Sequence, residues 1–463
     1  MELNRKVDEL KEEMIAATQK LVRVKSLEAA ALPGMPYGKD VNTALETALG
    51  ICSELGLKTV NVDGYVGYGE IGEGDDYVAI LGHVDVVPEG EGWTYPPYAA
   101  EIHDGKIFGR GTLDDKGPMM AALYGLKAVL NSDLKLSKKV RVLFGTNEES
   151  GCGEIKHYLE VEKPPISGFT PDAQYPMISG EKGITYINIH RELKKKSLTE
   201  LKLKYVKGGL VHNSVPDYCE AAIETKNSSL VTSALEAFVK KTGHDIKAEV
   251  KEDLVVLKSV GVSAHGSLPH MGKNSIMQLL LFIGELDLGD SDISDAIAFI
   301  NKSIGMEYNG ESFGLGLEDK QSGKLTFNVG VIEMNEDKLT LKLNIRYPVT
   351  NTYEDFIVPF NSKLEGTGFT VEILISLTPL FFPEDHPLIK TLQKVYVEQT
   401  GLDPTPLSIG GGTYAKEMAN IVAFGPIFPG KPDLDHQVNE YIEIDDLVMN
   451  AKIYAHAIYE LAK

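Results

Sequence analysis

The sequence predicts an α/β fold: a discontinuous domain with a mixed, largely parallel sheet flanked by helices, and an α+β domain inserted into it. Three observations carry this. The first third alternates helix-like and strand-like segments, the pattern of a sheet covered by helices. From about Ile184 the texture changes to strand-like alternation mixed with helices, and after Pro379 the first texture returns. At 463 residues the chain is also too long for one ordinary core.

Taken in order, Val7, Leu10, Met14, Ala17 and Leu21 recur at three- and four-residue steps, so the chain opens on an amphipathic helix. Asp40 to Leu55 reads as a second helix that Gly56 stops. Tyr65 to Ile71 and Tyr77 to His83 read as strands, and Pro118 to Leu130 as a helix with proline in its first turn. Lys139 to Thr146 is an apolar, β-branched strand that ends at an acidic pair. In the middle region, Thr185 to His190, Leu201 to Tyr205, Lys324 to Ile332 and Leu339 to Arg346 alternate as strands do. Ser229 to Lys241 and Ser275 to Gly284 read as helices there, and Asp445 to Leu461 closes the chain as another. The expected division is 1–181 with 379–463 as one domain and 182–378 as the insertion.

Composition narrows the function classes. Hydrophobic content of 43 % and charged content of 24 % describe a soluble globular protein. A net charge of -21 argues against nucleic acid and against an anionic membrane surface as partners. The best apolar run, Leu279 to Ile283, falls far short of the ~20 residues a membrane span needs. Three cysteines, Cys52, Cys152 and Cys219, cannot form a disulfide framework. The opening MELNRKVDELKEEM has acidic residues where a signal peptide would be basic and then apolar, so a cytoplasmic location is expected. Cys152 follows the acidic pair, yet without a basic partner it reads as a packing residue rather than a nucleophile.

The chemistry lies in a series of histidines and carboxylates at strand ends. His83 and Asp85, two apart, emerge on one side of a strand end, and a carboxylate beside a ligating imidazole fixes its tautomer. GRGTLDDKG, Gly109 to Gly117, offers a tight, close-approach loop that delivers Asp114 and Asp115 ahead of a helix, with Asp115 as a possible helix cap. Glu148 and Glu149 diverge from a strand end, so one can bind a metal while the other acts as general base. FTPDAQYP supplies Asp172, and FPGKPDLDHQVNEY supplies His436. Mixed imidazole and carboxylate donors suit zinc, manganese or cobalt, and two such ions around one water form a hydrolytic site. The motifs thus imply metal-assisted hydrolysis.

In the order HVD, GRGTLDDKG, TNEESG, PDA and DHQVNE, this chain resembles the co-catalytic zinc aminoacylases, desuccinylases and carboxypeptidases, and most of all their PepV-type (Sapep-like) dipeptidases. The resemblance covers nearly the whole chain. It implies that Asp114 bridges two divalent ions, zinc first with manganese or cobalt as alternatives. His83 and Asp172 would complete one, and Glu149 and His436 the other. Asp85 would support His83, Glu148 would be the general base, and the peptide bond after Asp114 would be cis. In the inserted domain, read as a lid, VHNSVP gives Asn213, SAHGSLPHMGKN gives His265 and LNIRYP gives Arg346. By resemblance His265 stabilises the oxyanion with help from Asn213, and Arg346 grips the carboxylate of a short substrate. Gly411 and Gly412, within the run Gly410 to Thr413, would offer backbone N–H groups to the same carboxylate. The expectation is a monomeric dipeptidase for unblocked dipeptides, with an N-acyl amino acid amidohydrolase as the alternative.

Overall fold

A computed structural model describes residues 2–463, which divide into two compact units. The first runs to Ser179 and resumes over Phe382–Leu407 and Gly412–Lys463; the second is Gly180–Phe381 with Ser408–Gly411. The return excursion of Ser408–Gly411 into the second unit has no mark in the sequence pattern.

The first unit is α/β. Its sheet runs in the order Lys58–Val62, Val66–Ile71, Lys139–Gly145, Tyr77–His83, Ser167–Thr170, Ile421–Ala423. The last four are mutually parallel, and the first two form an antiparallel edge. Tyr77–His83 is buried along its whole length, as a central parallel strand covered on both faces must be. Helices Lys116–Leu130 and Ile444–Ala462 pack against each other within the core of this unit. The opening segment is two helices, Glu2–Glu9 and Lys11–Val22, interrupted at Leu10, yet Leu3, Val7, Leu10, Met14 and Leu21 all stay buried. Helix Lys39–Glu54 stops just before Gly56, whose φ of +87° is one that side-chain-bearing residues rarely adopt.

Two features of this unit position chemistry. Lys139–Gly145, Tyr77–His83 and Ser167–Thr170 are adjacent and point the same way, so their C-terminal loops open side by side. A separate small sheet pairs Tyr441–Glu443 with Lys106–Phe108. That ladder brings the segment around residue 436 to the loop that begins at Gly109, and Gly109 N donates to Glu440 O at 3.0 Å.

The second unit is α+β. Eight of its strands form one antiparallel sheet: Asp245–Lys251, Leu254–Val260, Tyr218–Glu224, Lys202–Gly208, Thr326–Met334, Lys338–Tyr347, Gly183–Glu192, Phe369–Leu377. Helices Ser229–Thr242, Ser275–Ile283, Asp292–Ser303 and Tyr353–Leu364 share its apolar core. Among the described residues, no helix is long and apolar enough to cross a membrane.

Candidate active site

The three parallel strand ends of the first unit carry His83 and Asp85, then Glu148 and Glu149, then Asp172; the Gly109–Gly117 loop adds Asp114, and the late segment adds His436. The structure brings all of these together. Asp114 divides its two oxygens between the two histidines. Its Oδ1 lies 2.9 Å from His83 Nε2, and its Oδ2 lies 3.2 Å from His436 Nε2. Each histidine has a further carboxylate: Asp172 Oδ2 is 3.8 Å from His83 Nε2, and Glu149 Oε2 is 3.0 Å from His436 Nε2. Donor atoms of His83, Glu148 and Asp172 also lie within 4.8 Å of one another. The peptide bond Asp114–Asp115 is cis.

Close packing depends on two glycines. A Cβ on Gly82 would overlap the Asp115 carboxylate, and one on Gly145 would overlap the Tyr414 hydroxyl. Buried Tyr414 donates to the buried Glu154 carboxylate and stands edge-on to the His83 ring, centroids 6.2 Å apart.

Asp85 touches both His83 and the glutamate pair. His83 Nδ1 meets the Asp85 backbone oxygen at 3.0 Å and the carboxylate at 3.5 Å. That carboxylate also accepts Glu148 N at 3.3 Å and Glu149 N at 3.1 Å, so it sets the backbone of the glutamate pair. Asp115 starts a helix but makes no capping bond; its Oδ2 accepts from His83 N at 3.3 Å.

The second unit carries Asn213, His265, Arg346 and Gly411. Ser214–Val215 pairs with Ala264–His265, and Gly266 N donates to Asn213 O at 2.7 Å, so Asn213 and His265 are neighbours. His265 Nδ1 lies 2.6 Å from Ser267 Oγ. Arg346 is buried, with Nε donating to Asn344 Oδ1 at 3.0 Å and Nη1 to Gly410 O at 2.5 Å. Gly411 belongs to this unit, whereas Gly412 belongs to the first.

A model of peptidase family M20/M25/M40 matches residues 79–460. The chain belongs to that family. It is 41 % identical over 459 residues, 98 % of each chain, to "Putative dipeptidase YtjP" of Bacillus subtilis (strain 168). It is 34 % identical over 462 residues, again 98 % of each, to "Putative dipeptidase" of Staphylococcus epidermidis (strain ATCC 12228 / FDA PCI 1200). Aminoacylhistidine dipeptidase from Vibrio alginolyticus superposes with a TM-score of 0.58 at 14 % identity, covering 97 % of each chain. The M20 family metallo-carboxypeptidase Sso-CP2 from Sulfolobus solfataricus gives 0.57 at 18 %, covering 97 % of this chain and 99 % of that one. At such identities the structural likeness is one of fold.

The electrostatics of the cluster call for positive charge. Burial alone would raise Asp114, but His436 and His83 hold it well below the usual carboxylate range. Burial and the Asp114 charge push Asp172 up to about 7. Burial, then Asp172, pushes Glu148 well up, and burial with Asp114 raises Glu149. His436 is drawn up to about 11 by its hydrogen bonds to Asp114 and Glu149. Burial opposes charge on His83, yet the Asp114 and Asp85 hydrogen bonds raise it well above the usual imidazole range. Crowded carboxylates that bind protons this tightly bind cations for the same reason, and the imidazole and carboxylate donors have the chemistry of a zinc, manganese or cobalt site. The residues therefore fit a metal.

Sequence reasoning passed over Glu440, although it closes the DHQVNE motif. Fully buried, it accepts Leu113 N at 2.8 Å and Asp114 N at 3.2 Å on Oε1. Oε2 takes Gly111 N at 3.1 Å and Arg110 Nη1 at 2.7 Å. Arg110 in turn donates to His436 O at 3.3 Å. Glu440 and Arg110 thus tie the Asp114 loop to the His436 loop. Cys152 faces no such partner: burial pushes its thiol far up, away from a thiolate.

Proposed function

We propose that this chain is a metal-dependent dipeptidase acting on unblocked dipeptides. The observation that carries the reading is Asp114, whose two oxygens face two separate histidines, each with its own second carboxylate. His83, Asp172 and Asp114 would hold one divalent ion, and His436, Glu149 and Asp114 a second. Bound there, the ions would polarise the scissile carbonyl and ease ionisation of the attacking water.

The chain's own residues supply the rest. Glu148 takes the proton of the attacking water as its oxygen adds to the carbonyl carbon, then delivers it to the amine nitrogen as the C–N bond breaks. Ser267 N approaches His265 Nδ1 at 3.4 Å, which favours Nδ1 as acceptor and leaves the proton on Nε2. His265 can then donate from Nε2 to the developing oxyanion, with Asn213 assisting. Arg346 is buried and, among the described residues, has no carboxylate partner, which suits an incoming anion; it would grip the substrate carboxylate with Gly411 and Gly412. We read the second unit as a lid, the protein as a cytoplasmic monomer, and zinc as the first metal to try before manganese or cobalt.

The test compares a free dipeptide with its N-acetylated form, using metal-stripped protein reconstituted separately with zinc and with manganese. Cleavage of the free dipeptide alone, and only with metal, is expected. Cleavage of the acylated compound alone would move the protein to the N-acyl amino acid amidohydrolases.

A further inference from the structure

Arg346 is a guanidinium taken out of water at 3 % exposure, and among the described residues its two hydrogen bonds both go to neutral oxygens. A buried charge without a counter-charge is costly unless something holds and uses it. What holds it is Asn344, two residues back along the same strand, so both side chains rise from one face of the sheet. Asn344 is itself completely buried, and its only side-chain hydrogen bond among the described residues is the 3.0 Å contact from Arg346 Nε. Its Nδ2 has no partner among the described residues. For packing alone, a leucine here would avoid the cost of an unsatisfied amide.

Directly opposite Asn344 in the ladder stands Asn328, also buried. Asn328 Nδ2 donates to His212 O at 2.8 Å and to Ser214 O at 2.9 Å, the two carbonyls that flank Asn213. Its Oδ1 is left without a partner among the described residues, as is Asn344 Nδ2 on the facing strand. One carboxamide aligns Arg346 and its neighbour steadies the Asn213 turn.

We propose that Asn344 is the positioning residue for carboxylate selection: by engaging Nε and neutral contacts only, it keeps Arg346 fully charged and fixed with its remaining N–H groups free for the substrate's terminal carboxylate. This rests on the dipeptidase reading above. Nε is occupied, and Nη1 spends one N–H on Gly410 O, so three N–H groups remain, on Nη1 and Nη2. An uncharged acceptor matters here, because a carboxylate at this position would neutralise the guanidinium before substrate arrived.

The experiment measures kcat and KM on a free dipeptide and on the same dipeptide as its C-terminal amide, for wild type, Arg346→Leu, Asn344→Leu and Asn344→Asp. Wild type should prefer the acid, and Arg346→Leu should lose that preference. Asn344→Leu should cut the acid-to-amide ratio of kcat/KM by about tenfold, the worth of aligning one charge-assisted contact, mainly through KM on the acid. Its rate on the amide should stay near that of wild type. Asn344→Asp, which keeps the acceptor and the volume, should erase the ratio as fully as Arg346→Leu. If either Asn344 variant folds with the wild-type ratio, or loses acid and amide turnover equally, the assignment is overturned. Should Asn344→Leu fail to fold, Asn344→Asp decides alone. An Arg346→Leu enzyme that still prefers the acid would sink the carboxylate-clamp reading, and this proposal with it. Activity on neither substrate by wild type would sink the dipeptidase reading instead.

Discussion

Glu440→Gln tests whether the two metal-bearing loops are one mechanical piece. The carboxylate sits in full burial and takes four donors: Leu113 N and Asp114 N on one oxygen, Gly111 N and Arg110 Nη1 on the other. Glutamine can keep one oxygen. Its NH2 must then face either pair of donors, so two hydrogen bonds to a charged acceptor are lost. At about 1.5–3 kcal/mol each the loss is about 3–6 kcal/mol. An independent route agrees: leaving buried Arg110 without its counter-charge costs about 3–5 kcal/mol. For a unit of this size that corresponds to a fall in Tm of roughly 6–15 °C. Metal affinity should weaken by about 10–100-fold, since Asp114 and His436 both lose their support. The assay is a melting curve with and without zinc, read as the transition of the first unit, beside a metal titration. Pairing Glu440→Gln with Arg110→Met should recover part of the stability, because the orphaned charge is gone. A variant that melts within two degrees or so of wild type and binds zinc as tightly would refute the argument.

Other expectations follow from single contacts. Glu148→Gln should keep its metal and its Tm, since among the described residues the Glu148 side chain makes no hydrogen bond, while kcat falls by about 10²–10⁴-fold; near-normal turnover would remove Glu148 as the base. Asp85→Ala frees the amides of Glu148 and Glu149 and should weaken metal binding by about tenfold or more, measured by competition with a chelator. Burial and the Arg346 charge lower His265 to about 4, so the folded protein binds fewer protons there than the unfolded chain between that value and the usual imidazole range. Stability of the second unit should therefore fall as pH drops through this window, and His265→Gln should flatten that dependence in denaturant titrations. Cys152→Ser should retain activity within about twofold, since a thiol whose pKa is raised by burial is no nucleophile.

How far the site could be read in advance depended on what kind of interaction places each residue. His83 and Glu148 come at or just after the ends of apolar strands rich in β-branched residues, and such strands announce themselves by composition, whereas the four-residue strand Ser167–Thr170 before Asp172 carries no such mark. That these ends are neighbours is a matter of sheet order, which short-range pattern does not contain. His436 was legible as a residue type in a motif, but the three-residue strand Tyr441–Glu443 that delivers it is too short for periodicity to register. Glu440 and Asn344 are harder still. Each looks like an ordinary polar residue; the importance of Glu440 comes from burial and from partners far away in the chain, and that of Asn344 from the burial of Arg346 two residues along the same strand. The opening helix shows the converse: its apolar spacing was correct although the helix breaks at Leu10, because burial follows the spacing even where the hydrogen-bond ladder lapses.

The carboxylates around this cluster divide by what their oxygens accept. Asp85 and Glu440 accept backbone N–H groups of the loops that carry Glu148, Glu149 and Asp114, and Glu440 takes the Arg110 guanidinium as well. Asp114, Glu149 and Asp172 face imidazole nitrogens instead, and among the described residues no side-chain N–H of lysine or arginine reaches them. That division is what a cation site requires. Ligand oxygens must be held in place without being consumed by the holding, or a metal would have to break those bonds in order to enter. Backbone amides are well suited to the holding, since they fix a loop while leaving its side chain unengaged. The alternative arrangement, with lysine or arginine neutralising the ligand carboxylates, would give a more stable empty protein and a poorer metal site. The high proton affinity of Glu148, Glu149 and Asp172 is the electrostatic trace of that choice. It leads to a consequence that binding measurements can check: filling the site with divalent cations must release protons, and the number released should fall as pH is raised from 6 to 8.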